Sequence, residues 1–350
     1  MEKKIKVLHV LKSSIYSGAE NVAITIIKHL DERFESAYLA TRGEIEAVLK
    51  REKITYYLLD TYSQQNIAGV IAKYQPDIVH AHDFTATVLC TMVRGGFRLI
   101  SHLHYDPPWT QKWNIKTLLY TWKAARISKI LVVSAKSYEN MVFAGRLHHK
   151  CEVVGNPIDI DRILKLANEE ESVEAFDLLF IGRLVEQKNP ERFLGIVKKL
   201  KDGGKPLKCM MLGEGELWED CEDLINQYGL QDQVKLLGFR KNPYVYMKAA
   251  KLLCMTSRWE GYGLVVLEAN IVGIPAISTY TSGTAEILGE MALEVCETDE
   301  VFVDKIQNIL ENKVEYERLK HMAQERVQKL QSIDEYIERI NTIYQEVLRG

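Results

Sequence analysis

The chain has 350 residues, 47% of them hydrophobic and 27% charged, with a formal net charge of −3. That length exceeds one ordinary core and suits two domains, and the composition excludes a disordered chain. No apolar run reaches the ~18–20 residues of a membrane-spanning helix, and residues 1–7 enter a strand pattern with no signal region, so the expected location is the cytoplasm. The six cysteines, Cys90, Cys151, Cys209, Cys221, Cys254 and Cys296, are scattered without Cys-x-x-Cys spacing, which suggests neither zinc nor a disulfide framework. Residues 1–160 hold 21 Lys and Arg against 15 Asp and Glu (+6), and residues 161–350 hold 24 against 33 (−9). A basic first half points to an anionic partner there, but the chain has no concentrated basic run, so nucleic acid is excluded.

Short apolar strands alternate with amphipathic helical segments through the first half, the pattern of a parallel sheet covered on both faces. Strands are predicted at 5–11, 37–40, 56–59, 77–81, 99–104, 129–133 and 152–154, with a loop at 14–20 and a helix at 21–30. Such sheets bind ligands beyond the C-terminal ends of their strands. Ser17-Gly18, His80/His82, His102/His104, Ser134 and Asn156 all fall there. The first domain is expected to span 1–160, followed by a polar linker at 165–175. The pattern restarts in a second domain, 176–331, with strands at 176–181, 208–212, 234–237, 252–256 and 276–278. Asn189-Pro190 opens a helix through residue 200, with Asn189 as its cap and proline at the first helical position it favours. Residues 301–348 read as helices broken near Asn312 and Ser332, with 332–350 a final helix that packs back on the first domain. The fold class is α/β: two doubly wound, Rossmann-like parallel sheets facing across a cleft.

The stretch 257–277 is the most informative. A strand ends at Thr256, a turn carries Gly261, Tyr262 and Gly263, and an apolar helix starts at Leu264. A strand feeding a glycine-rich turn and a helix places backbone N–H groups and a positive helix end at one spot, which favours phosphate. Glu260 and Glu268 frame that spot, one suited to ribose hydroxyls and the other to a donor sugar. Upstream, Arg183 follows strand 176–181 and Lys188 precedes the next helix. A forked cation beside a point cation suits a diphosphate.

Glu260 and Glu268 within Glu-Gly-Tyr-Gly-Leu…Glu-Ala, with Gly182-Arg183 and Lys188, resemble the signature of retaining glycosyltransferases of the GT-B fold, family 4. The resemblance spans nearly the whole chain and is strongest from Gly182 to Pro275. It implies that Arg183 and Lys188 neutralise the donor diphosphate, that Glu268 accepts the ribose hydroxyls, and that Glu260 orients the donor sugar. Ser17-Gly18-Ala19-Glu20 is similar to the family's first glycine loop, with serine for the first glycine, and carries Gly18 over. The family's pocket histidine fits His104 best, with His102 as competitor. Gly213-Glu214-Gly215 and Gly238-Phe239-Arg240 match loops around the nucleotide base, which makes Arg240 a contact. Ser282-Gly283-Thr284-Ala285-Glu286 resembles the Gly-Gly-x-Pro-Glu turn with its first glycine and proline replaced.

The resemblance thus implies a hexosyltransferase-like enzyme. It would move a sugar from a nucleotide-sugar, a UDP-sugar being favoured, to a glycan or lipid-linked glycan, with retention, in capsule or exopolysaccharide synthesis. No cofactor or metal is required, because two cations and a helix end supply the positive charge. The histidines also allow a metal reading, for which matching acidic ligands are lacking. Alternatives are a sugar-nucleotide epimerase of the same fold and a non-catalytic partner subunit. Trp109, Lys112, Trp113, Lys116 and Lys123 interleave aromatic and basic residues, which suits the inner face of an anionic membrane. The competing reading packs Trp113, Leu118, Leu119 and Trp122 on the sheet.

Overall fold

The computed structural model describes residues 3–16, 18–170, 173–260, 262–288, 295–296 and 298–350. The chain forms two compact units, Met1–Ile158 with Gln331–Gly350, and Asp159–Leu330. The first is built on strands β1 (Ile5–Val10), β2 (Phe34–Thr41), β3 (Tyr56–Leu59), β4 (Ile78–Ala81), β5 (Arg98–Leu103), β6 (Lys129–Val132) and β7 (Cys151–Val153). They form one parallel sheet in the order β3-β2-β1-β4-β5-β6-β7, so the order reverses between β1 and β4.

Strand alternation assigns the two faces of that sheet. Leu8, Val10, Val79, Leu99, Ile130 and Val132 pack under the helices Gln64–Tyr74 and Phe84–Thr91. Val7, Ile78, Ile100 and Leu131 point the other way, against Tyr336, Ile337, Ile340, Ile343, Tyr344 and Val347 of the C-terminal helix Ile333–Arg349. That helix starts in a capping box, with Ser332 and Glu335 each satisfying the other's backbone N–H. Its apolar spacing of three and four is the seam that seats it. On this second face, the residue two positions beyond Val7 is His9, beyond Ile78 is His80, and beyond Ile100 is His102. The face is apolar at its lower half and histidine at its upper half.

The second unit carries β8 (Phe176–Ile181), β9 (Cys209–Leu212), β10 (Val234–Leu236), β11 (Ala250–Met255), β12 (Ala276–Thr279) and β13 (Val295–Cys296), ordered β10-β9-β8-β11-β12-β13. Its core joins Leu178, Phe180, Cys254 and Ile277 of the sheet to Phe193, Val197, Phe302 and Ile306 of flanking helices. Asn312 and Ser332 are helix N-caps, which accounts for the breaks in the C-terminal pattern. Cys90, Cys151, Cys209, Cys221 and Cys254 are free thiols, and Cys90 and Cys254 are buried.

Three local expectations are corrected. The first helix is Gly18–His29, three residues earlier than periodicity placed it, with Glu20 in its first turn. Residues 165–167 belong to a helix, Ile160–Ala167, capped by the Asp159 carboxylate, which accepts from the Arg162 N–H at 2.9 Å. Its buried Ile163 and Ala167 give it a seat that the polar count over 165–175 concealed. Asn189 does precede helix Pro190–Asp202, but it sits in the left-handed region (φ 51°) with no side-chain cap bond.

Candidate functional site

In the second unit, three loops at the C-terminal ends of β8, β9 and β10 are laced together by backbone. Gly182 N–H donates to the Leu212 carbonyl (3.0 Å), Leu184 N–H to the Glu214 carbonyl (2.9 Å), and Gly213 N–H to the Gly238 carbonyl (2.9 Å). Gly213 has φ +135°, and a Cβ there would lie 1.9 Å from the Gly182 carbonyl oxygen, so only glycine lets these loops meet. The segment after β8 is also tied to the segment after β11. Arg258 N–H donates to the Gln187 carbonyl (2.8 Å), Gln187 Nε2 to the Trp259 carbonyl (3.1 Å), and the Thr256 hydroxyl to the Asn189 carbonyl (2.9 Å).

That lacing brings Lys188 and Glu260 together. Lys188 Nζ lies 2.5 Å from Glu260 Oε1, and the side chains are 16% and 8% exposed. A pair this shielded is held by geometry, because desolvating either charge alone is costly. Gly283 N–H donates to the Glu260 carbonyl at 3.2 Å, fixing the turn from the far side. Gly263, in the left-handed region at φ +79°, opens helix Leu264–Val272. Tyr262 is half-buried beside it, while Gly261 lies outside the described residues, as does the side chain of Glu286. Glu268 is half-buried on that helix and is met by the Tyr244 hydroxyl at 3.4 Å. Burial pushes its carboxyl up to about 7, against the opposing pull of the Tyr244 hydroxyl and the charges of Arg162 and Lys188. Arg183 is exposed at the end of β8. Arg240 is exposed too, and its Nε donates to the Tyr246 hydroxyl at 3.1 Å.

In the first unit, β1, β4 and β5 end in five histidines. Nδ1 of His9 lies 3.0 Å from Nε2 of His82, and Nδ1 of His82 lies 3.0 Å from Nε2 of His104. A second chain joins the Tyr344 hydroxyl to His80 Nδ1 (2.7 Å) and His80 Nε2 to His102 Nδ1 (3.2 Å). The His80 and His82 rings stack with centroids 4.2 Å apart, and those of His102 and His104 lie 4.1 Å apart at a tilt of 31°. Burial lowers His9 and His104 to about 3. It also holds His80, His82 and His102 well below the usual histidine range, with neighbouring imidazoles adding to the effect. All five are therefore neutral at pH 7. Two trios, His9/His80/His82 and His82/His102/His104, have nitrogens within 4.8 Å of one another, so a metal ion would compete with these hydrogen bonds. Beside them, the Asp83 carboxylate caps helix Phe84–Thr91 through Ala86 N–H (2.7 Å) and binds Lys12 N–H (2.9 Å). Gly18 is exposed at the start of its helix.

The family model for Glycosyl transferases group 1 matches residues 161–326, and that for Glycosyltransferase Family 4 matches residues 16–162. The chain carries the two domains of a glycosyltransferase. Glycosyltransferase MJ1059 of Methanocaldococcus jannaschii is 27% identical over 302 residues, covering 75% of this chain and 73% of that one. The capsular polysaccharide biosynthesis glycosyltransferase CapH of Staphylococcus aureus is 23% identical over 304 residues, covering 81% of this chain and 83% of that one. Among solved structures, Anabaena Alr3699/HepE in complex with UDP and glucose matches with a TM-score of 0.84 at 18% identity, covering 98% of this chain and 100% of that one. The two sheets are those of the GT-B fold.

The basic and aromatic segment of this glycosyltransferase is placed differently from either expectation. Trp109 is half-buried against the first core, edge-on to Phe84 at 5.0 Å, with Lys116 Nζ 5.1 Å from its ring centre. It is thus removed from the surface group. On helix Ile115–Lys123 the buried face is Thr117 and Tyr120. Trp113, Ile115, Leu118 and Trp122 are 44%, 84%, 53% and 72% exposed, so the reading that packed three of them on the sheet is overturned. Lys112 and Lys116 are exposed among them, and Lys123 lies 4.3 Å from the Trp122 ring centre. No helix among the described residues is long and apolar enough to cross a membrane.

Sequence reasoning passed over His9, Tyr244, Tyr344 and Asp83. His9 had a signal, since it shares a strand face with Val7. Asp83 had one as well, as the polar residue before a helix. Tyr244 and Tyr344 had none, because each reaches its partner across 24 and 264 residues of chain.

Proposed function

We propose that this glycosyltransferase is retaining and metal-independent, and moves a sugar from a UDP-sugar to a hydroxyl of a glycan or lipid-linked glycan in bacterial surface polysaccharide synthesis. The observation that carries the reading is the shielded Lys188–Glu260 pair beside the Gly263–Leu264 helix start. A diphosphate at that helix end competes for Lys188, and Glu260, once released, accepts hydroxyls of the donor sugar. Arg183 and Lys188 then stabilise charge gathering on the leaving diphosphate. Glu268 takes the ribose hydroxyls, while Tyr262, Gly263 and Leu264 line the phosphate turn and Arg240 the base. In the first unit, His104 and Gly18 are the candidate substrate contacts. The UDP complex of the HepE structure supports uridine as the base. The CapH relative supports a polysaccharide acceptor.

A lipid-linked acceptor also gives a role to Trp113, Ile115, Leu118 and Trp122 with Lys112, Lys116 and Lys123, as a face that rests on an anionic lipid surface.

The test is a thermal-shift panel of UDP, GDP, ADP and their common sugars, with and without magnesium. A ligand that binds only the folded chain raises the melting temperature by mass action. A shift with uridine nucleotides that is lost in Glu268→Ala supports the assignment, and none with any nucleotide refutes it.

A further inference from the structure

The two carboxylates of the second unit are held in different ways. Glu260 has the Lys188 ammonium, whereas Glu268 is met by a hydroxyl, that of Tyr244, which donates to Oε1 at 3.4 Å. An ionised carboxylate accepts up to about four hydrogen bonds. One donor leaves this half-buried side chain most of its acceptor capacity for a ligand. At 3.4 Å the bond is long, as functional hydrogen bonds are before a ligand tightens them.

Tyr244 is itself placed by Asn242. The Asn242 side-chain oxygen accepts from Tyr244 N–H at 3.1 Å, the two-residue turn that asparagine favours. Its amide nitrogen donates the other way, to the Leu166 carbonyl and to Glu169 Oε2, both at 2.9 Å. Leu166 lies in the last turn of helix Ile160–Ala167, where carbonyls lack partners within the helix, so the same bond fixes Asn242 and serves that helix end. Lys248 Nζ repeats the tie at Asn168 Oδ1, 2.6 Å away. Helix Ile160–Ala167 also packs against Leu264–Val272, the helix that carries Glu268. The hydroxyl and the carboxylate therefore sit on two helices, Tyr244–Ala249 and Leu264–Val272, that share one neighbour. All of these residues belong to the second unit.

We propose that Tyr244 is a positioning residue of the donor site, its hydroxyl fixing one oxygen of Glu268 so that the carboxylate is held ready for the ribose hydroxyls, and that Asn242 anchors Tyr244 to helix Ile160–Ala167. The contact stands on the hydrogen bonds of the second unit, whereas its service to ribose rests on the function proposed above. The polar stretch after residue 165 gains a purpose by it, since Glu169 is one of the two acceptors that hold Asn242.

The experiment begins with carbon-13 NMR of the full chain labelled at the glutamate side-chain carboxyl, the Glu268 signal being assigned by its loss in Glu268→Gln. A hydroxyl that donates to a carboxylate favours the ionised form. Glu268, which titrates at about 7, should therefore titrate higher in Tyr244→Phe, with the charges of Arg162 and Lys188 the same in both chains. An unmoved midpoint overturns the contact. Calorimetry at pH 7.5 then compares UDP with its analogue lacking both ribose hydroxyls. Tyr244→Phe, which keeps the ring, should weaken UDP about fivefold, the worth of one hydrogen bond, and leave the analogue nearly unchanged. Equal losses for both nucleotides mean a disturbed pocket and overturn the positioning role. Asn242→Ala should narrow the preference for UDP in the same way, and an unaltered preference removes Asn242 from the proposal. If the unsubstituted chain binds no UDP, the proposed function fails, and the NMR midpoint still decides the contact.

Discussion

Acidification should loosen the first unit well before it loosens the second. His9, His80, His82 and His102 are at most 1% exposed and are held neutral in the folded chain, far below the ordinary value of 6.5. The unfolded chain therefore binds more protons than the folded one below pH 6.5, and stability falls as pH falls. At pH 5.5 each unfolded histidine gains about 1.4 kcal/mol from protonation, against about 0.1 kcal/mol at pH 7.5. Four of them amount to about 5 kcal/mol across that interval, comparable to the whole stability of a domain at about 5–15 kcal/mol. Burial raises the Asp83 carboxyl, which works the other way and offsets a part of this. In the second unit Glu268 has the opposite sign. Its folded value of about 7 lies above the ordinary 4.5, so ionising it costs stability as pH rises, and acidification helps that unit. Native-state hydrogen exchange at pH 7.5, 6.5 and 5.5, corrected for intrinsic rates, reads both sheets in one sample. Protection of β1, β4 and β5 should collapse while that of β8, β9 and β11 holds or rises. Undiminished protection of β1, β4 and β5 at pH 5.5 would show that the imidazoles are not held neutral and refute the reasoning.

Other expectations follow from single contacts. Lys188→Met leaves the Glu260 carboxylate shielded and unpaired, and should lower the unfolding free energy of the second unit by about 3 kcal/mol; a urea midpoint equal to that of the unsubstituted chain would contradict the pairing. Glu268→Ala and Lys188→Ala should each cut transfer strongly, and full rates from either would end the donor-site assignment. Nucleotide affinity should rise as pH passes upward through about 7, where Glu268 ionises, and this rise should vanish in Glu268→Gln. Replacing Ile115 and Trp122 by serine should reduce sedimentation with phosphatidylglycerol vesicles and leave the melting temperature within a degree or so, because both side chains are exposed; unchanged sedimentation removes the lipid-facing role. Dialysis against EDTA should leave transfer unaltered, whereas a loss restored by zinc would make the histidine trios metal ligands.

The strands were legible because they are short apolar runs with period-two alternation, and the helix breaks at Asn312 and Ser332 because capping side chains are local. The positions of Arg183, Lys188, Glu260 and Glu268 along the chain were legible because each sits at a strand end or in the first turns of a helix. That Lys188 and Glu260 face each other was not, since the contact depends on how two loops 72 residues apart are laced. The helix Ile115–Lys123 misled for a related reason. Its composition fits two rotations about the helix axis, and the Ser101 and Tyr120 hydroxyls, 2.8 Å apart, choose between them by tying Tyr120 to the sheet. The histidine chains were half visible: paired histidines on one strand face can be read from spacing, but their bonding across β1, β4 and β5 depends on strand order.

The first unit is discontinuous, and this bears on how the protein is made. A ribosome finishes Ile158 and must then synthesise the 172 residues of Asp159–Leu330 before Gln331 emerges. At about 5–20 residues per second that is roughly 9–34 s. Throughout this interval the nascent sheet carries Val7, Ile78, Ile100 and Leu131 without the C-terminal helix that packs on them, and His80 has no Tyr344 to bond. The second unit can close first, so the folding order in the cell should invert the order of the chain, with a chaperone holding the waiting sheet until its last helix arrives.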